Sequence, residues 1–477
     1  MRNGVVRCIQ GFLLSSLLLT WGSVEGAEIP TPEALMEQYK LSPGMKITKE
    51  NADLIKDLVP EVVYQRTKNG DYVFVLGKFD PPNILAKVWD RDFYASSEQN
   101  VGKYDVDTDG GIIDKASGQR PWPMPLGLPY PEIDLNEDAA KVGAKMIWNM
   151  TALAGSCGEQ DHEGSRIMSS PRNGAYDRYV SLKALRQYVD FRRNAVENQR
   201  PVIFQEIFFF QEPSDAFGTA NLTWRWTDPT KWDSVWSYSP STRRVRRLTA
   251  ANRSDSTFGT EFVQDDGTPS YNGKVEMMEW KYVGKGHALI PSSRTEDQAA
   301  DDYIARITYE ARHSTHHSYD KIPAAYEQRS KQITLGFQES PQQYASWWVT
   351  DLLWVPVPVY IVEAAPKDPY YNYGRQIFFL EQNTFAPVWK QIYNRSGEYW
   401  RTANLWPEFV RFKPNGKEYV CFDGVGLVIG DEMTNRGTAA IDNGDNALGK
   451  RGGPTVHYNT GLGGDVFELG RFLEYGK

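Results

Sequence analysis

The sequence predicts a mainly β fold with peripheral helices, an α+β protein built on one large curved antiparallel sheet or incomplete barrel. From about residue 174 onward, short apolar segments with alternating patterns follow one another, and turn residues separate most of them. Asn394–Gly397 and Lys413–Gly416 are typical turn sequences. Helical periodicity lies mainly in the first third of the chain. Together these observations indicate a sheet made of many sequential strands.

The overall composition is that of a globular protein. The 477 residues are 40% hydrophobic and 24% charged, with a formal net charge of −8. An acidic balance argues against a general nucleic-acid binder, which needs a basic face. Mean hydropathy is −0.54. Beyond the N-terminus no apolar run approaches the roughly 20 residues of a membrane helix, which excludes a polytopic membrane protein.

The N-terminus has the pattern of a secretory signal peptide. Arg2 and Arg7 precede an apolar run over residues 11–21, and small residues follow, including Gly22 and Gly26. A basic start, a short apolar run and a small-residue exit predict that residues 1–26 are removed during export. An uncleaved N-terminal anchor helix is the alternative.

Three cysteines bear on the compartment and on stability. Cys8 lies before the apolar run, whereas the acylated cysteine of a lipoprotein follows it, so we expect no lipid anchor. Export permits a disulfide between the other two, Cys157 and Cys421. They are far apart in sequence, so pairing depends on the fold, and two buried or free thiols are the alternative.

The region before the main domain is predicted to be helical. Residues 27–60 form an approach segment, with Thr31 capping a first helix and a second short helix over Ile47–Leu58. Residues 61–77 are predicted to form a β-hairpin around the turn Lys68–Asp71.

Residues 61–477 are predicted to form a single large β domain. A helix is expected at Asp138–Met150 from its apolar spacing, and residues 434–464, rich in Gly and Asn, are expected to be a surface loop. The predicted strands are Val202–Phe210, Asn221–Trp226, Val235–Tyr238, Lys274–Val283, Gln332–Phe337, Trp354–Glu363, Gly374–Glu381, Ala386–Asn394 and Tyr419–Asp423.

The strand over Trp354–Glu363 contains two prolines. Pro356 and Pro358 cannot donate ladder hydrogen bonds, so we expect a sheet edge or a bulge there. An apolar edge of this kind would suit a partner or a lid.

The most distinctive local feature is an aromatic and arginine-rich hairpin over residues 232–248. Side chains alternate along a strand, so Arg244 and Arg246 point to one side and Arg243 and Arg247 to the other. We interpret the region as a ligand-binding surface whose apolar part holds hydrocarbon and whose guanidinium groups meet an anionic headgroup. Ordinary sheet packing is the alternative. The predicted wall is Trp224, Trp226, Trp236, Tyr238 and Tyr360, with Arg244 and Arg246 at its rim.

Metal and catalytic motifs give weak signals. The alternating acids before Gly110 lack the later carboxylate of a calcium loop, which favours a solvated turn. Three histidines in five residues form an awkward metal site without other ligands, so no metal and no cofactor are expected. These are His313, His316 and His317.

Hydrolase motifs are similarly weak. Gly155–Gly158 lacks the spacing of an exposed catalytic serine, and the sequence has no zinc-protease helix, phosphate loop or dinucleotide fingerprint. We therefore assign no catalytic residue. A carboxylate pair of the glycosidase type stays open, because a sequence gives no distances.

The order of several motifs resembles a bacterial family of exported proteins of unknown function, related to the outer-membrane lipoprotein-sorting (LolA/LolB-like) proteins. The resemblance covers most of residues 60–475, and it does not include residues 434–464 or the N-terminal approach segment. The motifs that carry it are Gly127–Pro131, Trp148-Asn149, Trp236–Arg247, Phe262–Asp266, Val359–Glu363, Tyr373–Arg375, Ile377–Phe379, Trp400-Arg401 and Gly470-Arg471.

This resemblance implies a curved antiparallel sheet closed on its concave side by helices and loops, and a periplasmic location. It also implies work with membrane transporters or outer-membrane proteins in moving hydrophobic molecules. We therefore expect a non-enzymatic periplasmic carrier or binding protein for a lipid or other hydrophobic molecule. Two alternatives are an envelope scaffold without a cargo cavity and an extracytoplasmic carbohydrate-active enzyme.

Overall fold

The computed structural model describes residues 29–77, 89–172, 177–196, 200–294, 352–412, 419–441, 455–458 and 461–472. It confirms the predicted fold class, with a large 16-stranded sheet, a separate two-stranded sheet and few helices. The signal peptide, the three clustered histidines and the predicted strand over Gln332–Phe337 lie outside the described residues.

The strands are β1 (Lys46–Ile47), β2 (Phe74–Leu76), β3 (Tyr104–Val106), β4 (Ile112–Asp114), β5 (Glu159–Pro171), β6 (Arg178–Tyr188), β7 (Val202–Glu212), β8 (Ala220–Trp226), β9 (Ser234–Ser239), β10 (Arg244–Leu248), β11 (Met278–Arg294), β12 (Leu352–Pro366), β13 (Gln376–Glu381), β14 (Pro387–Tyr393), β15 (Tyr399–Phe412), β16 (Tyr419–Asp431), β17 (Arg436–Ile441) and β18 (Thr455–Tyr458). The α-helices are α1 (Pro32–Gln38), α2 (Glu61–Lys68), α3 (Arg91–Asn100), α4 (Ala139–Gly155) and α5 (Leu469–Phe472).

The large sheet is open within the described part of the chain. Its strands follow the order β11-β12-β13-β14-β15-β16-β17-β5-β6-β7-β8-β9-β10, and β18 pairs with β5 beside β17. Every pairing is antiparallel except that of β2 with β12. On one side of β12, β2 also pairs with it and β1 pairs with β2. Among the described strands, β11 and β10, at the two ends of the order above, do not pair with each other, which is the arrangement of an incomplete barrel.

The sheet curves strongly. Seven strand spacings separate β8 from β14, about 33 Å if the sheet were flat. However, Asp266 lies 2.6 Å from Lys390 of β14, and its neighbour Asp265 contacts Arg253, which reaches Thr223 of β8. Two adjacent residues can reach both strands only if the sheet bends around them. We call the face that carries Thr223 and Lys390 the concave face, and the opposite one the convex face.

Helix α4 confirms the helix predicted from apolar spacing, and it extends further at its C-terminal end. The side chain of Asp138 caps its first turn by accepting from Ala140 N and Lys141 N. Its buried residues include Met146 and Trp148, and the helix packs against β11 and β16.

The structure contains a disulfide between Cys157 and Cys421, whose pairing the sequence alone does not decide. Cys157 lies two residues after the end of α4 and forms a disulfide with Cys421 of β16, with 4.7 Å between the two Cα atoms. The bond joins the end of the central helix to the sheet across 264 positions of sequence.

The predicted hairpin over residues 61–77 is wrong, because Glu61–Lys68 is the helix α2. Its buried residues, Val63, Tyr64 and Thr67, have helical spacing, and an acid begins and a base ends the helix, as its dipole favours. Burial of this face outweighs the β propensity of Val and Tyr. The second strand exists as β2, but its partner is β1.

One of the two helices predicted for residues 27–60 is present in the structure. Helix α1 begins after Thr31, whose hydroxyl accepts from Ala34 N at 3.2 Å. The second predicted helix is only a 3₁₀ turn over Ala52–Ile55. Strand β1 joins the main sheet through β2, so this segment contributes to the domain.

The predicted loop over residues 434–464 also needs correction. It contains β17, which lies between β16 and β5 inside the sheet, and β18, which pairs with β5. Small residues such as Gly437 and Ala439 suit a strand buried between neighbours, and the composition alone concealed this.

The prolines of β12 predict a sheet edge or a bulge, but this strand has partners on both sides and is not an edge. It pairs with β11 along its whole length on one side. On the other side β2 pairs only at Leu353-Trp354 and β13 only over Val359–Ala364. The prolines at 356 and 358 lie in the gap between these two ladders, where the missing N–H donors cost least.

The other predicted strands within the described residues are confirmed, several with longer ends. The strand predicted at Lys274–Val283 starts later, because Val275–Met277 forms a 3₁₀ turn. Eight of the described strands were not predicted: β1, β3, β4, β5, β6, β15, β17 and β18.

Candidate functional site

A pocket lies on the concave face, between the sheet and the segment Phe262–Thr268, which we call the roof. The cavity volume is about 70 Å³. The sheet residues come from β5, β6, β7, β15, β16 and β17. The lining residues are His162, Ser165, Arg166, Ile167, Leu182, Ala184, Arg186, Phe208, Phe262, Asp266, Gly267, Thr268, Leu405, Gly426, Leu427 and Ala440.

The apolar floor of the pocket is a row of residues across four neighbouring strands. Ile167 lies opposite Ala440, Ala440 opposite Leu427, and Leu427 opposite Leu405. Directly opposed residues project from the same face of a sheet, so the register alone aligns these side chains. Phe262 closes the row from the roof. The arrangement can hold an apolar group by contact without fixing its orientation.

Polar groups lie at the pocket wall as well. The Ser165 hydroxyl is buried and has no hydrogen-bond partner among the described residues. Arg186 donates to Glu206 at 2.7 Å. Burial would raise the pKa of the Glu206 carboxyl, but the positive charges of Arg186 and Arg253 lower it, so Glu206 stays ionised.

Contacts to several strands hold the roof and its flanking residues in place. Gln264 Nε2 donates to Glu206 Oε1 at 3.0 Å. Glu261 N donates to Thr438 Oγ1 at 3.0 Å, and Arg436 Nε donates to a Glu261 carboxylate oxygen at 3.0 Å. The roof is therefore anchored to β7 on one side and to β17 on the other.

The roof contains an adjacent acidic pair, Asp265 and Asp266. Arg253 Nε donates to Asp265 at 2.7 Å, and the Tyr371 hydroxyl donates to it at 3.0 Å. Tyr373 donates to Asp266 at 2.6 Å. Burial raises the pKa of Asp265 despite the nearby arginines. Since cations and phenols occupy both carboxylates, the pair anchors the roof and is poorly placed to act as an acid and a base.

Three residues of the predicted aromatic wall, Trp224, Trp236 and Tyr238, lie together on the convex face. Trp224 and Trp236 make an edge-to-face contact with ring centroids 4.5 Å apart, and Tyr238 belongs to the same cluster. Phe467 and Phe472 of the C-terminal segment 461–472 cover this cluster. Trp224 Nε1 donates to Phe467 O at 2.9 Å. The described chain itself thus covers the surface predicted to hold a ligand.

Of the other predicted residues, Trp226 reaches that surface, and Tyr360, Arg244 and Arg246 do not. Trp226 lies beside Trp224, with Lys231 over its ring. Tyr360 is on the concave side at the other end of the sheet, stacked with Phe385 at a centroid distance of 5.8 Å. Arg244 and Arg246 are exposed on β10 and project opposite to Trp236, because they pair with Ser239 and Ser237. Alternation along each strand was predicted correctly, but the strand register places the wall and the rim on opposite faces.

Sequence reasoning missed the pocket itself. The sequence patterns do not predict four of its six strands, β5, β6, β15 and β17, and they place Ala440 in a loop. One signal was available: Phe262–Asp266 stood out as an acidic motif, and it proves to be most of the roof. The apolar row could not be found, because it depends on the register between strands distant in sequence.

The described residues offer no obvious metal centre and no membrane-spanning helix. Among them, no group of three or more His, Cys, Asp or Glu side chains is arranged to hold a metal ion. Asp107 Oδ1 instead accepts from the backbone of Asp109 and Gly111 at 2.9 and 2.8 Å, which closes the turn. No helix in the described ranges is long and apolar enough to cross a membrane.

The fold defines a mainly β protein built on one large open sheet. The chain belongs to the family of proteins of unknown function DUF1329, whose model matches residues 46–423. This confirms the resemblance to an uncharacterised family drawn from the sequence motifs. Among curated proteins, none matches this sequence.

Several solved structures are similar to the chain. One is an outer membrane lipoprotein-sorting protein domain from Vibrio parahaemolyticus and another a DUF1329 family protein from Desulfovibrio piger. Each is 14% identical, with a TM-score of 0.42, over 70% of this chain and 99% of the other. A LolA superfamily protein from Nitrosomonas europaea is 11% identical, with a TM-score of 0.36, over 68% and 97%. Similarity at this level carries no information about ligand or activity.

Proposed function

We propose that the protein is a non-enzymatic binding or carrier protein that takes the apolar part of a lipid or other hydrophobic molecule into the concave pocket. The observation that carries the proposal is the cross-strand apolar row beneath Phe262, next to polar groups at the wall. Apolar burial is non-directional, worth about 0.8 kcal/mol for each CH₂ group, and permits release as well as binding.

The size of the cavity limits what it holds in this conformation. About 70 Å³ is small beside the roughly 300–1,000 Å³ of pockets that enclose a drug-sized ligand. A cavity of this size admits the end of a chain or a small apolar group. A longer ligand has to extend out of the pocket or displace the roof, whose anchors to β7 and β17 are hydrogen bonds and ion pairs.

The polar surroundings support binding more than catalysis. The roof carboxylates are engaged with Arg253, Lys390 and two tyrosines. Glu206 is held ionised by Arg186 and Arg253. Groups fixed in this way position the roof, and the apolar row is left to contact the ligand.

The predicted signal peptide supports a periplasmic location. In that compartment the ligand would pass to or from an envelope transporter or an outer-membrane protein. This part of the proposal comes from the N-terminal pattern and the motif resemblance.

Binding of a fluorescently labelled fatty acid tests the proposal. Ala440→Leu fills the floor of the pocket at a partly exposed position, so it should not disturb the core. We expect at least tenfold weaker binding, since two or three methylenes of the ligand lose their place at about 0.8 kcal/mol each. Ala365→Leu, on β12 and also partly exposed, is the matched control.

Extraction of the purified protein with organic solvent, followed by mass spectrometry, provides a second measurement. A co-purifying lipid that is lost in Ala440→Leu and kept in Ala365→Leu would support the proposal. Absence of both a bound lipid and probe binding would reject it, as would equal binding by the two variants.

A further inference from the structure

We propose that the β9–β10 edge of the sheet docks onto an anionic lipid bilayer, with its arginines on phosphate groups and Phe217 in the interface. This inference does not depend on the concave pocket. It rests on an excess of unpaired positive charge, on the edge position of β10 and on an exposed aromatic side chain at the same end of the sheet.

The charge excess is local. Arg243, Arg244, Arg246 and Arg247 are exposed, and none of these guanidinium groups has a hydrogen-bond or ion-pair partner in the described ranges. The sequence between Asp233 and Asp255 contains no acidic residue. The whole chain, by contrast, has a net charge of −8. A basic patch on an acidic protein concentrates attraction to anions at one place.

The geometry allows all four arginines to reach one surface. In the described chain, β10 is the terminal strand of the sheet and pairs only with β9. Arg244 and Arg246 project to one side and Arg247 to the other, so the guanidinium groups flank the edge on both sides. The strand is about 13 Å long. If this edge of the sheet faces a bilayer, all four guanidinium groups lie within about one or two Debye lengths of the bilayer surface.

An exposed aromatic residue lies at the same end of the sheet. Phe217, in the turn between β7 and β8, is 66% exposed. Its neighbour Gly218 lies against the turn between β9 and β10, since a Cβ atom on Gly218 would be 3.1 Å from Pro240. Asp215, exposed in the same turn, offsets one of the four positive charges. A large apolar side chain beside basic groups suits the headgroup and acyl boundary of a bilayer.

A bilayer explains these features better than an acidic macromolecule does. Charged residues on an edge strand also prevent pairing with other sheets, but that role requires no aromatic neighbour. A soluble polyanion would use the guanidinium groups and gain nothing from Phe217. A bilayer with anionic lipids uses both, through phosphate contacts and burial of the ring.

Sedimentation of the protein with phosphatidylcholine vesicles, with and without phosphatidylglycerol, tests the inference. We expect binding only with phosphatidylglycerol, and weaker binding as salt is raised. Arg244→Gln with Arg246→Gln should weaken binding about 25-fold, at roughly fivefold for each arginine. The matched control is Lys281→Gln with Lys285→Gln, which removes the same charge from exposed positions on β11, at the opposite edge.

Phe217→Ser separates the two kinds of partner. We expect it to weaken binding to the anionic vesicles and to leave binding to soluble polyglutamate unchanged. Equal binding to neutral and anionic vesicles would overturn the inference, as would equal losses in the arginine and lysine variants. Full vesicle binding by Phe217→Ser would also overturn it and would assign the patch to an acidic macromolecule. All variants are at exposed positions, so unchanged unfolding temperatures confirm that they fold.

Discussion

The ammonium group of Lys390 lies 2.6 Å from a carboxylate oxygen of Asp266, and both side chains are completely buried. Lys390 also donates to Ser270 O at 3.0 Å. The pair ties strand β14 to the roof of the concave pocket. A buried charge is costly without its partner, so the loss of Lys390 would leave the Asp266 carboxylate buried without a cation.

Lys390→Met should destabilise the protein by about 3–5 kcal/mol, because it leaves Asp266 buried without its cation. Urea denaturation at neutral pH measures the free energy of unfolding. The double variant Lys390→Met with Asp266→Asn should recover part of the loss, since no charge then remains unpaired. Lys285→Met, at an exposed position, is the control and should change stability little. A Lys390→Met protein as stable as this control would contradict the role assigned to the pair.

Glu276 should make the protein less stable as pH rises through the mildly acidic range. Burial raises the pKa of its carboxyl to about 7, although the charges of Lys274 and Arg120 oppose the shift. The folded state therefore holds a proton that the unfolded state has already lost above its ordinary pKa of 4.5. The contribution of this group to the free energy of unfolding is complete below pH 4.5. It declines as the pH rises from 4.5 to about 7.

Glu276→Gln should remove that decline and stabilise the protein above pH 7 by up to about 3 kcal/mol. Urea denaturation across the pH range is the measurement. Glu132→Gln, an exposed control, should keep the slope of the wild type. An identical slope in Glu276→Gln and in the wild type would show that another group causes the dependence.

Reduction of the disulfide between Cys157 and Cys421 should destabilise the protein by about 2–4 kcal/mol, because the bond closes a long loop in the unfolded chain. The comparison is the urea midpoint with and without dithiothreitol. A Cys157→Ala, Cys421→Ala variant should be as unstable as the reduced protein and insensitive to the reductant. A wild-type midpoint unaffected by reductant, with both thiols then open to alkylation, would oppose this prediction.

Phe467→Ala should release the C-terminal segment from the convex face. The ring is fully buried among strands β6 to β9, so its removal should cost about 3–5 kcal/mol. Limited proteolysis should then cut the chain near this residue sooner than in the wild type. Val466→Ala, a partly exposed neighbour, should cost much less and serves as the control. Unchanged proteolysis of Phe467→Ala would mean that the Phe467 ring does not hold the C-terminal segment on Trp224 and Trp236.

Local patterns predicted a good part of the fold. The apolar spacing after Asp138 placed helix α4, and alternation placed most of the strands from β7 to β16. Local patterns failed where two conformations compete. Residues 61–68 combine β-forming side chains with helical spacing of the buried positions, and contacts with the rest of the chain decided for the helix.

By itself, the sequence determined the mainly β class, the alternation of Trp and Arg side chains along their strands, and the motif of the roof. Only the tertiary structure decided which face of the sheet each side chain occupies, that Cys157 meets Cys421, and that the C-terminal segment covers Trp224. The reason is physical: alternation and helical spacing are set by neighbours along the chain, whereas strand register and the covering of a face are set by contacts between distant segments.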